Sequence, residues 1–175
     1  MRMRFLVNLF GILGILTTVV IYQQKDNQRM LVWKLISDLC WVLHYLALGA
    51  NSVAVVTIVA IMRSVVLLCR RHRWAQSRAW LAVFMISSFV LSVLAYKDWT
   101  SLLTMFGSQA CIVAYWIGRP KITRIVSMPV ALMFLVNVTL NGSLWGMLCE
   151  SFLLASAVVG FIRHDVTHKT KTAEE

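Results

Sequence analysis

Seven apolar stretches fill this chain almost end to end, and they limit what it can fold into. They run over about residues 5–22, 31–49, 53–68, 79–96, 102–117, 122–140 and 144–162. Crossing the hydrocarbon core of a bilayer takes about 20 apolar residues, fewer where the bilayer thins or flanking residues reach the interface. Backbone inside lipid must satisfy its own hydrogen bonds, so each stretch predicts a helix. A membrane barrel would instead show strands of about 10 residues alternating polar and apolar, and the sequence has no such alternation. The expected fold class is therefore an all-α integral membrane bundle of seven transmembrane helices.

Composition agrees. The hydrophobic fraction is 59%, against about 45–50% in soluble domains. The longest polar stretches, 23–29, 70–78 and 164–175, leave no room for a soluble domain. Arg2 and Arg4 precede the first apolar run as in a signal peptide. However, Gln23-Gln24-Lys25-Asp26 follows Tyr22 with no small-x-small cleavage site, so the first span is expected to be retained.

The basic residues are unevenly distributed. Of the 17 Lys and Arg, thirteen fall in alternate loops on one side: Lys25, Arg29, Lys34, Arg70, Arg71, Arg73, Arg78, Arg119, Lys121, Arg124, Arg163, Lys169 and Lys171. Only Arg2, Arg4 and Lys97 fall on the other side, and Arg63 lies inside a span. The positive-inside rule places the thirteen in the cytoplasm, with a periplasmic N-terminus and a cytoplasmic C-terminus. That arrangement needs an odd number of spans.

The net charge of +10 is thus explained by span-end cations facing anionic headgroups rather than by nucleic acid. Trp33, Trp74, Trp80, Trp99 and Trp116 sit near span ends as interfacial anchors. Cys40, Cys69, Cys111 and Cys149 show no metal-site spacing, and neither a metal nor a cofactor is expected. The expected partners are the lipid bilayer and a small molecule, with the oligomeric state left open.

Loop lengths suggest an internal repeat. A polar loop followed by a tight turn (Gly49-Ala50-Asn51-Ser52) joins the first three spans. A polar loop with Gly118-Arg119-Pro120-Lys121 followed by a tight turn (Asn141-Gly142-Ser143) joins the last three. Phe10-Gly11 matches Phe106-Gly107, while Lys34, Ser37 and Asn51 match Arg124, Ser127 and Asn141. The plan is 3 + 1 + 3: a first triplet over 1–70, a linker helix over 71–98, a second triplet over 99–163 and a polar tail over 164–175. The unpaired fourth helix makes the triplets parallel repeats, an arrangement that places substrate at the repeat interface.

Ionisable residues at membrane depth are costly and mark function by default. Asp38, His44, Arg63 and Glu150 stand out. Arg63 lies twelve residues beyond Asn51 and Glu150 nine beyond Asn141, so each is ~14–18 Å deep at about 1.5 Å per residue. Arg63 is a candidate to bind an anionic or polyhydroxyl ligand and an unpartnered Glu150 a candidate for proton coupling, and two pairings are open. An antiparallel hairpin brings Asp38 to the depth of Arg63 as a structural ion pair, and the repeat brings Glu150 toward Arg63 at the interface of the triplets. His44, beside Tyr45, reads as a helix–helix hydrogen bond before it reads as a proton relay. Asn137, Asn141, Gln109 and Ser151 are further candidates to line a shared cavity. Pro129 is expected to kink the sixth helix, and Gly11 and Gly14 to allow close approach of the first.

These residues resemble the bacterial inner-membrane proteins of the YgjV type over nearly the whole chain. The likeness is carried by His44-Tyr45-x-x-x-Gly49, by Ile61-Met62-Arg63-Ser64, and by Asn141-Gly142-Ser143-x-x-Gly146-x-x-x-Glu150-Ser151. It implies an inner-membrane location and brings no activity with it. The 3 + 1 + 3 plan is also similar to SWEET and PQ-loop transporters, but neither the first nor the fifth span contains proline.

A small-solute transporter or facilitator is the first expectation, with a site between the triplets. A non-transporting receptor or scaffold is the alternative. An enzyme is not expected, because no nucleophile–base set or phosphate-cradling glycine loop is present.

Overall fold

The computed structural model describes residues 2–49, 51–96, 99–142 and 144–166, with side chains described from Val7 onward except at 51–53. Ala50, Lys97, Ser143 and the tail beyond 166, with Lys169 and Lys171, lie outside the described residues. So do the side chains of Arg2, Arg4 and Asn51. Seven α-helices follow one another: α1 (Arg2–Tyr22), α2 (Asn27–Ala47), α3 (Asn51–Leu68), α4 (Ala79–Leu94), α5 (Thr100–Ile117), α6 (Pro120–Leu140) and α7 (Leu144–Phe161). Two 3-10 turns, Cys69–Arg71 and Arg73–Gln76, connect α3 to α4. A π-type turn over Ile162–Val166 extends α7.

Local chemistry sets the helix ends. Asp26 caps α2 by accepting the Arg29 backbone N–H, so α2 starts four residues before its apolar stretch. Arg29, placed by sequence in the polar stretch before the second span, is therefore a helix residue. α5 stops at Gly118, whose φ of 71° is left-handed. α6 restarts with Pro120 in its first turn, where the missing N–H is harmless. Pro129 lies within α6, which continues through it to Leu140.

The helices form a ring in chain order, each packed on its neighbours in sequence. α1 lies broadly on α2, α2 on α3, α5 on α6 and α6 on α7. α4 leans mainly on α5 and only lightly on α3, and α7 returns to α1 to close the ring. Gly11 and Gly14 permit the α1–α2 approach: a Cβ on either would stand 3.0–3.1 Å from His44 or Trp41.

The ring is inside-out by the standards of a water-soluble protein. Leu16, Ile86, Leu94, Phe106, Leu140 and Leu144 are all more than half exposed. Thr18, Ser37, Asp38, Ser64, Thr123, Arg124 and Ser127 are buried. In water this distribution would be strongly unfavourable. In lipid it is expected, because apolar surface gains nothing by hiding and polar groups gain by meeting one another. Four helical stretches, Asn27–Ala47, Thr100–Ile117, Pro120–Leu140 and Leu144–Val166, are long and apolar enough to cross a membrane. Val7–Tyr22 and Ala79–Leu94 are shorter apolar helices.

Candidate functional site

Two cavities hold the four ionisable candidates, and a third, of about 130 Å³, lies between α3, α4 and α5 and is also lined by Arg63. The wider of the first two, about 520 Å³, runs between α1, α2, α3 and α7, with Val138 from α6, from Leu48 and Trp145, beside the tight turns, down to Tyr22 and Lys34. The deeper, about 210 Å³, is lined from α1, α2, α3, α5, α6 and α7, with α4 excluded. Tyr22, Lys34, Glu150 and Leu153 line both, so the two spaces meet at that level.

Asp38 is buried in the wall of the wider cavity. Its partner is Lys34, one helical turn earlier, with Ser64 Oγ donating to Oδ2 at 3.4 Å. The Asp38–Arg63 pair considered from hairpin depth is not formed. A lysine on the same face of the same helix reaches the carboxylate at far lower conformational cost. The Lys34-x-x-x-Asp38 spacing is legible in sequence, within the second apolar stretch, but counting Lys34 only as a span-end cation passes over it.

Arg63 borders the deeper cavity and lies over the Tyr115 ring, 5.9 Å from its centroid. Glu150 borders the same cavity from α7, and its Oε2 is shut off from solvent with no hydrogen-bond partner. Arg63 and Glu150 therefore share a space but make no direct ion pair. Among the described residues, the ion pairs are Lys34–Asp38 and Arg124–Asp165.

His44 lines the wider cavity, and its Nδ1 lies 2.8 Å from the Val7 carbonyl oxygen on α1. Asn137, Asn141, Gln109 and Ser151 do not line these two cavities. Asn137 donates to Thr100 Oγ1 at 2.8 Å, and Asn141 donates to the Asn137 carbonyl. Gln109 donates to the Met85 carbonyl on α4. Ser151 is exposed on the outside of α7, one residue, and so about 100° of helix, round from Glu150.

Sequence reading missed the polar knot at the far end of the ring. Arg124 was counted among the span-end cations, yet it is only 1% exposed. Its Nε donates to the Tyr22 carbonyl at 2.9 Å, its Nη1 pairs with Asp165 at 2.7 Å, and its Nη2 donates to the Gln24 carbonyl. Around it, Tyr22 donates to Ser127 at 3.0 Å, Gln23 donates to the Ser156 carbonyl at 3.0 Å, and His164 Nε2 lies 2.9 Å from the Gln23 carbonyl. Arg70 closes the α3–α5 side by donating to the Trp116 carbonyl and stacking on that indole at 4.5 Å. No local pattern reveals that Arg124 is buried, because its partners lie 41, 100 and 102 positions away.

Among the described residues no cluster of three or more His, Cys, Asp or Glu side chains is placed to hold a metal. Searches of curated proteins and of solved structures return no match. The sequence does match a family described as bacterial inner membrane protein over residues 5–168. That span includes all seven helices apart from the first three residues of α1. The chain belongs to the Imp-YgjV family of bacterial inner membrane proteins.

Proposed function

We propose that the protein is a small-solute transporter or facilitator whose site is the deeper cavity, reached through the wider one. The observation that carries this reading is the asymmetry of the ring. A largely apolar space with a few polar groups on its wall runs from Leu48 and Trp145, next to the Gly49 and Gly142 turns, to Tyr22 and Ser127, next to the Arg124 knot. A carrier in one of its two access states has that form, open on one side and sealed on the other.

The SWEET-like 3 + 1 + 3 reading belongs to the same proposal. It is supported by the way α4 stands outside the deeper cavity while both triplets line it. Repeat-matched contacts support it too. The Cβ position of Gly11 meets His44, and that of Gly107 meets Phe134, both residues 33 and 27 positions on in turn. The matched cations Lys34 and Arg124 each hold an aspartate. The orientation, with a periplasmic N-terminus and a cytoplasmic C-terminus, rests on the basic-residue asymmetry. It makes the knot the cytoplasmic seal. The partners proposed are the bilayer and a small solute, with no nucleic acid and no enzymatic step.

The test is uptake into proteoliposomes against a panel of small labelled solutes, with Glu150→Gln as control. Saturable uptake lost in the variant supports the proposal. Binding without uptake for any solute favours the receptor reading, for which a permanently locked Arg124 knot is the structural argument.

A further inference from the structure

We propose that the deeper cavity binds a small zwitterion, with Arg63 taking its carboxylate and Glu150 its ammonium. This names the solute class for the transporter reading above and rests on it only for movement across the membrane, not for binding.

The argument starts from charge. Lys34 and Asp38 neutralise one another at the cavity wall. Arg63 and Glu150 remain, a guanidinium and a carboxyl group that carries the opposite charge when ionised, both lining the cavity and not bonded to each other. An ion in low dielectric without a counter-ion is costly, and its desolvation is repaid only by a close, hydrogen-bonded partner.

Each ligand class repairs this differently. A neutral polyol offers hydrogen bonds but leaves both charges unmatched. An anion satisfies Arg63 and sets a like charge near Glu150, and a cation does the reverse. A zwitterion satisfies both and adds no net charge to the membrane interior.

Unfilled hydrogen-bonding capacity points to the same place. Buried polar atoms without partners are uncommon and call for an explanation. One of them, Glu150 Oε2, lines this cavity. Tyr115 carries the aromatic face under Arg63, which holds the guanidinium without neutralising it.

Size and lining limit the ligand further. About 210 Å³ is room for about seven waters at ~30 Å³ each, so the ligand is small. Val130, Ala131, Phe134 and Leu153 give the cavity an apolar side. A carboxylate and an ammonium on a short carbon skeleton with a compact apolar group fits this lining, which is the chemistry of a small neutral amino acid.

The experiment measures binding to the purified full chain in detergent, by thermal shift and by calorimetry. The probes are glycine, L-alanine, L-valine and L-leucine, with L-leucinamide, 4-methylpentanoate and glucose as controls lacking one or both charges. At least one amino acid should bind, and the single-charge analogues should bind at least tenfold more weakly. Glu150→Gln keeps the shape of the side chain and should weaken the amino acid at least tenfold while leaving the melting temperature of the free protein within a few degrees. Arg63→Gln should do the same if its fold is retained. Binding of 4-methylpentanoate as tight as that of leucine, binding of glucose alone, or no binding by any of the amino acids would overturn the proposal. Uptake assays separate it from the transporter reading. Zwitterion binding without flux removes the transport step alone, whereas flux of a solute that is not a zwitterion removes this assignment alone.

Discussion

The two ends of the ring are built on opposite plans. Around Arg124, side chains of α6 and α7 reach the last carbonyls of α1 and its loop, so the end is tied by bonds between distant parts of the chain. At the other end, His44 meets Val7, Asn137 meets Thr100, and the wide cavity is lined from Leu48 and Trp145 beside the turns. The difference teaches that polar groups at membrane depth are either tied to distant parts of the chain or left lining a cavity, and that the packing of the helices decides which.

The comparison breaks most severely at Arg124. Arg124→Ala strands Asp165 and two backbone carbonyls. It should cost about 3–5 kcal/mol, as for removal of one partner of a buried pair. Thermal unfolding in detergent would show this as the largest drop in melting temperature of any single change considered. A loss no larger than that of an exposed-residue control would mean the knot is decorative.

Gly160 is the next most sensitive position. A Cβ there would stand 2.2 Å from the Tyr22 carbonyl oxygen and 3.3 Å from Arg124 Nε. Backbone cannot yield as a side chain can, so Gly160→Ala should cost about 3 kcal/mol, the upper part of the overpacking range. The same substitution at Gly49, at the open end, meets nothing within 4 Å and strains only a φ of 72°. Gly49→Ala should cost about 1 kcal/mol. Equal losses at the two glycines would erase the contrast between the ends.

Between those extremes, a double-mutant cycle tests where the buried charges pair. Lys34→Met with Asp38→Asn should show a coupling of about 1–2 kcal/mol, and Arg63→Met with Asp38→Asn should show less. The reverse order would restore the hairpin ion pair that the structure replaces. The smallest effect is expected at His44. His44→Phe removes its contact with Val7 but keeps the ring against Gly11, and it should cost about 0.6 kcal/mol, the average for polar contacts between membrane helices. A loss of several kcal/mol there would show that the open end is tied as firmly as the sealed one.

Much of the fold was legible because hydropathy is a local property. Six of the seven helices begin within three residues of their apolar stretches, and α2 begins earlier only because Asp26 caps it. Arg63 and Glu150 stand out in the sequence because charge in lipid is costly wherever it lies, and both line the deeper cavity. Asn137, Gln109 and Ser151 look equally polar in sequence, yet they face Thr100, α4 and the outside. A polar residue on a helix reveals its depth, but not its azimuth in the ring.

The sequence by itself determined that this chain is a bundle of apolar helices with a few ionisable groups at depth. The cause is the solvent: lipid forces the backbone to satisfy itself and penalises every charge, residue by residue. Tertiary structure alone decided which of those charges meet. Arg124 became a buried knot because α6, α7 and the end of α1 converge on it, and Arg63 and Glu150 came to share a cavity without bonding. Such pairings depend on helix rotation and on contacts about 40–100 residues apart in the chain, and no local pattern encodes either.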